Sequence, residues 1–299
     1  MKISVIIPIY NSEEFLNKLL DSIKYQTLEK EKYEVVFVDN NSDDKSKEIL
    51  KKFCKKSIIN TRYLFYDKKQ SSYASRNYGV KHAKGSILAF TDADCILDKN
   101  WLKNIDKFYN KNSKDIIISG TINLFIEDET NIWEWYDKIV FLDNKKYFYR
   151  NKTATTANLI VSKKNFLEIG FFEEVVSSGD KSWAKRAINL NKEIKFSENI
   201  LVNHPSRKTF GEIKKKTYRI AYGKGQLKYY HNKILSIETF KNILRIIYLK
   251  TNLIHSKKIY EKAEISLKEI IKFNFYFIKL RLIHLIGFYR GFVSARGER

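Results

Sequence analysis

The sequence predicts an α/β domain built on a mainly parallel sheet. Apolar runs with the length of buried strands alternate with segments whose apolar residues recur at helical spacing, over the first hundred residues. The first two runs, ISVIIPI at 3–9 and EVVFV at 34–38, are continuously apolar, as in parallel strands that are covered on both faces. In such a sheet, ligands bind beyond the carboxyl ends of the strands.

The segment between these two strands predicts a helix. Ser12 stands where an N-cap is expected, and Glu13 and Glu14 place negative charge in the first turn, where the helix dipole favours it. The apolar residues that recur every three or four positions are Phe15, Leu16, Leu19, Leu20 and Ile23. The order strand, helix, strand is therefore predicted for the first forty residues.

The same alternation continues to the fourth strand. Asp43 is predicted to open a second helix, and a strand follows at 63–66. A third helix spans about 73–84 and is ended by Gly85, and the strand at 87–90 runs directly into an acidic segment. Polar clusters thus follow the first, second and fourth strands, at what is predicted to be one edge of the sheet.

Beyond residue 115 the pattern is less regular. Strand-like runs lie at 116–120, 157–162 and 194–203, and an aromatic stretch surrounds Trp133. From Phe210 onward the chain is predicted to be helical and rich in basic residues.

The composition indicates a folded protein of a reducing compartment. With 299 residues and 43% hydrophobic content, the chain can bury a core for one large or two modest domains. Cys54 and Cys95 are too few for a disulfide framework and lack the spacing of zinc ligands. The apolar run at 3–9 is short, is interrupted by Pro8 and has only Lys2 ahead of it, so we interpret it as a strand and not as a signal peptide.

The segment FTDADC places Asp92 and Asp94 one residue apart at the end of a predicted buried strand. Carboxylates hold Mg²⁺ or Mn²⁺, and these ions share their remaining coordination positions with water and substrate phosphates. On spacing alone, a solvated turn is the simpler interpretation of this pair. The other polar clusters at the same edge, Tyr10 with Asn11 and the run DNNSDD at 39–44, favour a site for a cation and a diphosphate.

Four short motifs stand in order: IPIYN (7–11), VDNNSDD (38–44), SRNYG (75–79) and TDADC (91–95). In this order and spacing they resemble the nucleotide-sugar half of family 2 glycosyltransferases with the GT-A fold. The motifs are specific together, although none is specific alone. The resemblance implies a GT-A nucleotide-sugar-binding fold and transfer of a sugar from a nucleotide donor, most simply a UDP-linked one, to a hydroxyl acceptor.

The resemblance also implies a base pocket after the first two strands. Asp39 resembles the carboxylate that accepts hydrogen bonds from the uracil ring, and Pro8, Tyr10 and Asn11 would shape the pocket. The alternative role of Asp39 is to cap the following helix, a role that the acidic residues at 43–44 are equally placed to fill.

The remaining donor contacts follow from the same resemblance. Arg76 resembles the arginine beside the nucleotide, with a surface salt bridge as the alternative. Asp92 would contact the ribose, and Asp94 would bind the Mn²⁺ or Mg²⁺ that bridges the diphosphate and stabilises the charge of the leaving group. His204 would be a further metal ligand or contact the diphosphate, although a lone histidine is more often structural.

The segment SSGDKSWAKR, at 177–186, supplies a candidate general base. Asp180 resembles the acidic residue of the family's acceptor-loop motif, which precedes an aromatic residue and an arginine. The commoner motif has a Glu-Asp pair, whereas this chain has Gly179 before Asp180. A helix cap is the alternative role of Asp180, and Glu173 and Glu174 are rival carboxylates. In-line attack by the activated hydroxyl would invert the anomeric configuration.

The C-terminal third carries most of the positive charge. From Arg207 to the end there are 22 Lys and Arg against 6 Asp and Glu, so +16 of the formal charge of +22 lies there. At 270–293 apolar and aromatic residues dominate. Lysine and arginine residues interrupt this segment, so that no uncharged run in it is long enough to span a bilayer. We predict an amphipathic helix that lies on an anionic membrane surface, with packing on the catalytic domain or a second subunit as the alternative.

We therefore predict a GT-A domain at 1–225, with a nucleotide-binding half at 1–115 and an acceptor half at 116–225, and a basic helical region at 226–299. The predicted enzyme is an inverting, metal-dependent glycosyltransferase at the cytoplasmic membrane face, with a glycan or lipid-linked acceptor.

Three other functions are less consistent with the sequence. A nucleotidyltransferase would usually have a glycine-rich loop near the N-terminus, and the residues at 8–11 supply none. A non-enzymatic basic protein that binds nucleic acid would show basic residues among exposed aromatic ones, whereas the converging loops here are acidic. A protein that only occupies the membrane surface would have no use for the acidic residues of these loops.

Overall fold

The computed structural model describes residues 2–140, 144–232, 259 and 267–297. Its strands are β1 (Ile3–Ile9), β2 (Tyr33–Asp39), β3 (Asn60–Phe65), β4 (Ile87–Phe90), β5 (Ile96–Leu97), β6 (Ile117–Phe125), β7 (Leu159–Ser162) and β8 (Ile194–Pro205). Within the described residues they form one sheet in the order β3-β2-β1-β4-β7-β6-β8-β5. The first four strands lie side by side, as alternating strands and helices predict.

The first four strands run parallel, which confirms the predicted α/β class. Strand β1 pairs in parallel with both β2 and β4, and β2 pairs in parallel with β3. Strand β7 runs antiparallel to β4 and β6, and β5 runs antiparallel to β8. Ile9 lies opposite Asp39 in the register, so the loops after β1 and β2 leave the sheet at the same edge.

The helices are α1 (Glu13–Lys24), α2 (Ser46–Lys56), α3 (Ser72–His82), α4 (Trp101–Lys111), α5 (Ile132–Val140), α6 (Asn144–Asn151), α7 (Lys163–Ile169), α8 (Gly179–Asn189), α9 (Phe210–Asn232) and α10 (Leu267–Gly297). Helix α1 buries the predicted apolar face, and α2 begins three residues after Asp43. Ser12 occupies the N-cap position of α1, but its hydroxyl donates to the Tyr10 carbonyl. Instead, the carboxylate of Asp44 accepts from the backbone N–H groups of Glu13 and Ser46, each at 2.9 Å.

The contacts divide the chain into two units. The sheet unit comprises Met1–Asn123, Asn144–Glu174 and Gly179–His204, and the helical unit comprises Leu124–Asp143, Val175–Ser178 and Pro205–Arg299. Aromatic side chains fill the core of the sheet unit, and their rings lie in mutual contact at centroid distances of 5.1–5.6 Å. These are Phe90, Phe166, Phe172 and Trp183.

The helical unit has its own core, in which α9 and α10 pack closely. A Cβ atom at Gly225 would lie 2.1 Å from the Phe288 carbonyl oxygen, and one at Gly291 would lie 2.0 Å from that of Tyr222. Only glycine allows the two backbones to approach so closely. The buried apolar residues of this core are Tyr136, Ile213, Ile259, Phe273, Phe277 and Leu280. None of the helices in the described ranges combines the length and hydropathy of a membrane span.

A buried ion cluster lies within the helical unit. The Asp137 carboxylate accepts a hydrogen bond from Lys216 Nζ at 2.6 Å and from the Arg207 backbone and guanidinium at 3.1 and 3.2 Å. Although burial opposes ionisation, Lys216 and Arg207 hold the pKa of Asp137 below its ordinary value. Burial and the charge of Arg207 lower the pKa of Lys216 to about 7. The unit thus contains a charge network in which Asp137 and Lys216 are buried and Arg207 is partly exposed.

Candidate active site

The loops after β1 and β2 are joined by hydrogen bonds at the carboxyl edge of the sheet. The backbone N–H of Asn11 donates to Ser42 Oγ at 3.1 Å, and that of Asp43 donates to Asn11 Oδ1 at 3.0 Å. Asn11 and Asn41 adopt left-handed backbone angles, with φ of 46° and 62°. Asparagine tolerates this region better than most residues, so the two asparagines allow both tight turns.

Asp39 lies buried at the base of these loops and accepts hydrogen bonds at both carboxylate oxygens. Oδ1 accepts from the backbone N–H of Ser42 at 3.0 Å and from its hydroxyl at 2.6 Å. Oδ2 accepts from the hydroxyl of Tyr63 at 2.6 Å. Burial and the charge of Asp39 raise the pKa of Tyr63, so its hydroxyl stays a donor. Asp39 organises its own loop, while Asp44 caps the following helix.

Two predicted base-pocket residues flank this loop. Pro8 lies in β1 opposite Val38 of β2. Tyr10, which follows the strand, is 51% exposed, so its ring is accessible to a planar ligand.

Arg76 and Asp92 form an ion pair between α3 and the loop after β4. The guanidinium Nη2 of Arg76 donates to Asp92 Oδ1. Arg76 is only 3% exposed, and its Cζ lies 5.5 Å from the ring centroid of Tyr73. The pair is therefore not an ordinary surface salt bridge, because its guanidinium is buried against an aromatic ring.

Asp94 and His204 meet although they are far apart in the sequence. Antiparallel pairing of β5 with β8 places Ile96 opposite Asn203. Asp94 lies two residues before Ile96 and His204 one residue after Asn203, so this register brings their side chains together. His204 Nε2 lies 3.2 Å from Asp94 Oδ2. Within the described ranges no group of three or more His, Cys, Asp and Glu side chains is placed to hold a metal. A carboxylate oxygen suits Mn²⁺ and Mg²⁺ when a diphosphate and water complete the coordination, whereas an imidazole nitrogen fits Mn²⁺ better than the harder Mg²⁺.

Cys95, next to this pair, belongs to the core. Burial, and then the charges of Asp94 and Asp92, raise the pKa of its thiol well above the ordinary value. The thiol therefore stays protonated and does not act as a nucleophile or a metal ligand.

Asp180, the candidate base, is buried in the first turn of α8. Its Oδ1 accepts a hydrogen bond from the Tyr73 hydroxyl at 3.1 Å and from the Lys181 backbone N–H at 2.8 Å. Since Asp180 is the second residue of the helix, it does not occupy the N-cap position. Tyr73 thus contacts both the base candidate and Arg76, which holds Asp92.

The rival carboxylates hold the loop in place. Glu173 accepts a hydrogen bond from Ser182 Oγ at 2.9 Å and pairs with the guanidinium of Arg186. Glu174 accepts a longer hydrogen bond from Asn77 Nδ2 at 3.4 Å. Trp183, the aromatic residue of the motif, is fully buried and donates to the Gly170 carbonyl at 2.8 Å. The side chains around Asp180 therefore build the scaffold of the loop.

The contacts described above form three groups at the sheet edge. One joins Asp39 to the two N-terminal loops, one pairs Asp94 with His204, and one runs from Asp92 through Arg76 and Tyr73 to Asp180. Tyr63 and Tyr73 were not among the predicted site residues. A signal for Tyr73 existed, because it lies one helical turn before Arg76 and therefore on the same helix face.

This chain is similar to known glycosyltransferases in both sequence and fold. The model of the family described as glycosyl transferase family 2 matches residues 4–170. The glycosyltransferase AglE of Haloferax volcanii is 35% identical over 226 residues, which cover 75% of this chain and 73% of AglE. The poly(ribitol-phosphate) beta-N-acetylglucosaminyltransferase TarS of Staphylococcus aureus is 28% identical over 195 residues, which cover 64% of this chain and 33% of TarS.

Two solved structures share the fold. A TarS fragment in complex with UDP-GlcNAc matches with a TM-score of 0.56 at 18% identity, covering 100% of this chain and 93% of the fragment. The mannosyltransferase PcManGT from Pyrobaculum calidifontis, in complex with GDP-Man and Mn²⁺, matches with a TM-score of 0.63 at 15% identity, covering 97% and 86% of the two chains.

Proposed function

The chain belongs to glycosyl transferase family 2 and is a glycosyltransferase with a GT-A-like α/β fold, and on this premise we propose that it transfers a sugar from a UDP-linked donor to a hydroxyl, with inversion and with a divalent cation. One observation carries the proposal: Asp94 meets His204, and Asp92, two residues earlier, begins the contacts that run through Arg76 and Tyr73 to Asp180. The proposed cation site and the base candidate are then both linked to the loop after β4, at the edge where ligands bind.

The donor would lie along the loops after β1, β2 and β4. Tyr10 offers an exposed ring for the base, and Asp39 a carboxylate that is already oriented by Tyr63. Asp92, held by Arg76, would accept hydrogen bonds from the ribose. The solved neighbour with UDP-GlcNAc supports a UDP-linked donor, and the family match supports the nucleotide-sugar class.

Asp94 and His204 would hold the cation, which when bound stabilises negative charge on the departing nucleoside diphosphate. The two residues supply one oxygen and one nitrogen ligand and leave the other positions to the diphosphate and water. The neighbour solved with GDP-Man and Mn²⁺ supports a metal of this kind.

Asp180 would accept the proton of the acceptor hydroxyl as that oxygen attacks the anomeric carbon. One displacement breaks the bond between sugar and phosphate and forms the new glycosidic bond from the opposite face, so the configuration inverts. Positioned carboxylates contribute about 10² to 10⁴ in rate to such proton transfers. We propose a hydroxyl of a surface polysaccharide or lipid-linked glycan as acceptor, which the relatives named poly(ribitol-phosphate) transferases support.

Metal-dependent binding of UDP tests the proposal. We expect isothermal titration to show that Mn²⁺ raises the affinity of the native chain for UDP about tenfold or more, and that Asp94→Ala removes this gain while metal-free binding remains. Asp21→Ala, at an exposed residue of α1, is the matched control and keeps the gain. A Mn²⁺-dependent gain that survives in Asp94→Ala would refute the assigned ligand.

Release of UDP from a panel of nucleotide sugars then identifies the donor. The native chain is expected to release UDP from at least one UDP-sugar in the presence of Mn²⁺, and chelation of the metal is expected to stop the release. Failure with every UDP-sugar, together with release of another nucleotide, would overturn the choice of donor.

We further propose that the helical region at 226–299 brings the enzyme to the cytoplasmic membrane face. Large apolar side chains line one exposed stripe of α10 at spacings of three and four residues: Ile271, Phe275, Ile278, Leu282, Ile286, Tyr289 and Val293. Lys279 Nζ lies 4.4 Å from the ring centroid of Phe275, so a cation borders the stripe. An apolar stripe bordered by cations in a strongly basic segment suits the headgroup region of an anionic bilayer.

Vesicle binding tests this location. The native chain is expected to co-sediment with phosphatidylglycerol vesicles and much less with phosphatidylcholine vesicles, because anionic lipid attracts the basic segment. Changing Phe275, Ile278 and Leu282 to serine is expected to weaken binding about tenfold or more, and Ile58→Ser, at an exposed apolar residue outside α10, is not. If the triple variant bound the vesicles as well as the native chain does, the stripe would be assigned to protein contact. The same would follow if the substitutions dissociated a dimer and did not weaken lipid binding.

A further inference from the structure

Tyr73 contacts the base candidate more directly than any predicted site residue does. Its hydroxyl donates to Asp180 Oδ1 at 3.1 Å, and its ring packs against Phe172 at a centroid distance of 5.6 Å. The side chain is only 5% exposed. A buried tyrosine whose hydroxyl is hydrogen-bonded is held in one orientation.

The start of α3 sets this orientation. Ser71 Oγ accepts from the backbone N–H groups of Tyr73 and Ala74 at 3.3 and 3.4 Å, which caps the helix immediately before the tyrosine. The guanidinium of Arg76, one turn later, lies 5.5 Å from the tyrosine ring. Tyr73 therefore stands on a capped helix end and lies against the buried arginine that holds Asp92.

Gly179 lies close to this ring. A Cβ atom at position 179 would lie 2.9 Å from the Glu173 carbonyl oxygen, closer than real contacts allow, and 3.0 Å from Tyr73 Cδ2, which is tighter than most real contacts. The glycine immediately before Asp180 therefore packs between the backbone of the loop and the Tyr73 ring.

The hydroxyl of Tyr73 remains a hydrogen-bond donor under all working conditions. Burial, and then the charge of Asp180, raise the pKa of Tyr73 well above its ordinary value, whereas Arg76 lowers it. The neutral phenol and the Lys181 backbone N–H together hold Oδ1 of Asp180. This leaves Oδ2 as the oxygen that is available to accept a proton from the acceptor hydroxyl.

We infer that Tyr73 is a positioning residue for Asp180. This inference rests on the proposed transfer reaction. Tyr73 orients the base through one hydrogen bond and, through Arg76, joins it to the carboxylate assigned to the ribose. Such an interaction acts on turnover and leaves donor binding unchanged, because the hydroxyl contacts the base and not the donor.

Removal of one hydroxyl tests the inference. Tyr73→Phe is expected to lower kcat about tenfold, corresponding to about 1.4 kcal/mol, with KM for the donor within twofold of the native value. Tyr109→Phe is the matched control, because Tyr109 is equally buried and its hydroxyl donates to the Ile116 carbonyl at 2.8 Å, away from the site. Both variants lose a buried hydrogen bond, but only Tyr73→Phe is expected to lose turnover. Native kcat in Tyr73→Phe, or an equal loss in Tyr109→Phe, would overturn the inference.

A double-mutant cycle separates this inference from the proposed reaction. Urea unfolding of Tyr73→Phe, Asp180→Ala and the double variant is expected to show non-additive midpoint shifts, because the first substitution removes a bond that the second has already removed. This measurement needs no substrate, so it tests the hydrogen bond between Tyr73 and Asp180 even if the native chain releases no UDP. Absence of UDP release would count against the proposed reaction and not against this hydrogen bond. Additive shifts would refute the contact and with it the inference.

Discussion

Replacing Asp180 with asparagine is expected to lower kcat for sugar transfer by about 10² to 10⁴, with the affinity for UDP unchanged. Asparagine keeps the size of the side chain and still accepts the hydrogen bond from Tyr73, but it does not accept a proton from the acceptor hydroxyl. The loss therefore falls on the chemical step. Single-turnover kinetics, together with titration of UDP into the same variant, separates turnover from binding.

Glu174→Gln is the matched control for this experiment. It removes a carboxylate of the same loop, whose oxygen accepts a hydrogen bond from Asn77 Nδ2 at 3.4 Å, and leaves Asp180 unchanged. We expect its kcat to stay within a few-fold of the native value, because the long hydrogen bond contributes only about 1 kcal/mol. If Glu174→Gln lost the larger share of turnover, the role of base would pass from Asp180 to Glu174.

Replacing Asp137 with alanine is expected to lower the free energy of unfolding by about 3 kcal/mol. Removal of one partner from a buried ion pair costs about 3–5 kcal/mol, because the other charge stays without compensation. The lower end applies here because Lys216, whose pKa burial lowers to about 7, releases its proton readily. Urea unfolding at pH 7 measures the change, since the pKa of Asp137 is held below its ordinary value and its stabilising charge is lost only as the pH falls towards and below about 4.

Two further variants give this prediction its controls. Glu129→Ala removes an exposed acidic residue of the same unit and is expected to change the free energy of unfolding by less than about 0.5 kcal/mol. Joint replacement of Asp137 by leucine and Lys216 by methionine is expected to recover most of the loss, because an apolar pair of similar volume needs no compensation. A cost for Asp137→Ala no larger than that for Glu129→Ala would show that the buried cluster does not stabilise the unit.

Local patterns in the sequence were sufficient to predict the α/β class. Continuous apolar runs predicted β1, β2 and β4, because a strand that is covered on both faces needs apolar residues at every position. The side-chain hydrogen bonds at the helix starts were predicted less well than the helices themselves. Ser12 and Asp43 both have side chains that can cap a helix, yet the Asp44 carboxylate accepts hydrogen bonds from the first backbone N–H of both α1 and α2. The parallel pairing of β1 with β2 brings the starts of the two helices to this one carboxylate.

By itself, the sequence determined the strands and helices, their order, and the motif residues that follow the first strands at one edge of the sheet. Only the tertiary structure decided which side chains meet there. Pairing of β5 with β8 brings His204 to Asp94, and burial turns Arg76 from a surface candidate into the link between Asp92 and Tyr73. The Tyr73 hydroxyl, on α3, reaches Asp180 at the start of α8. The physical reason is that periodicity and capping act between residues a few positions apart. Contacts between distant segments depend instead on strand register and on the space that each side chain leaves.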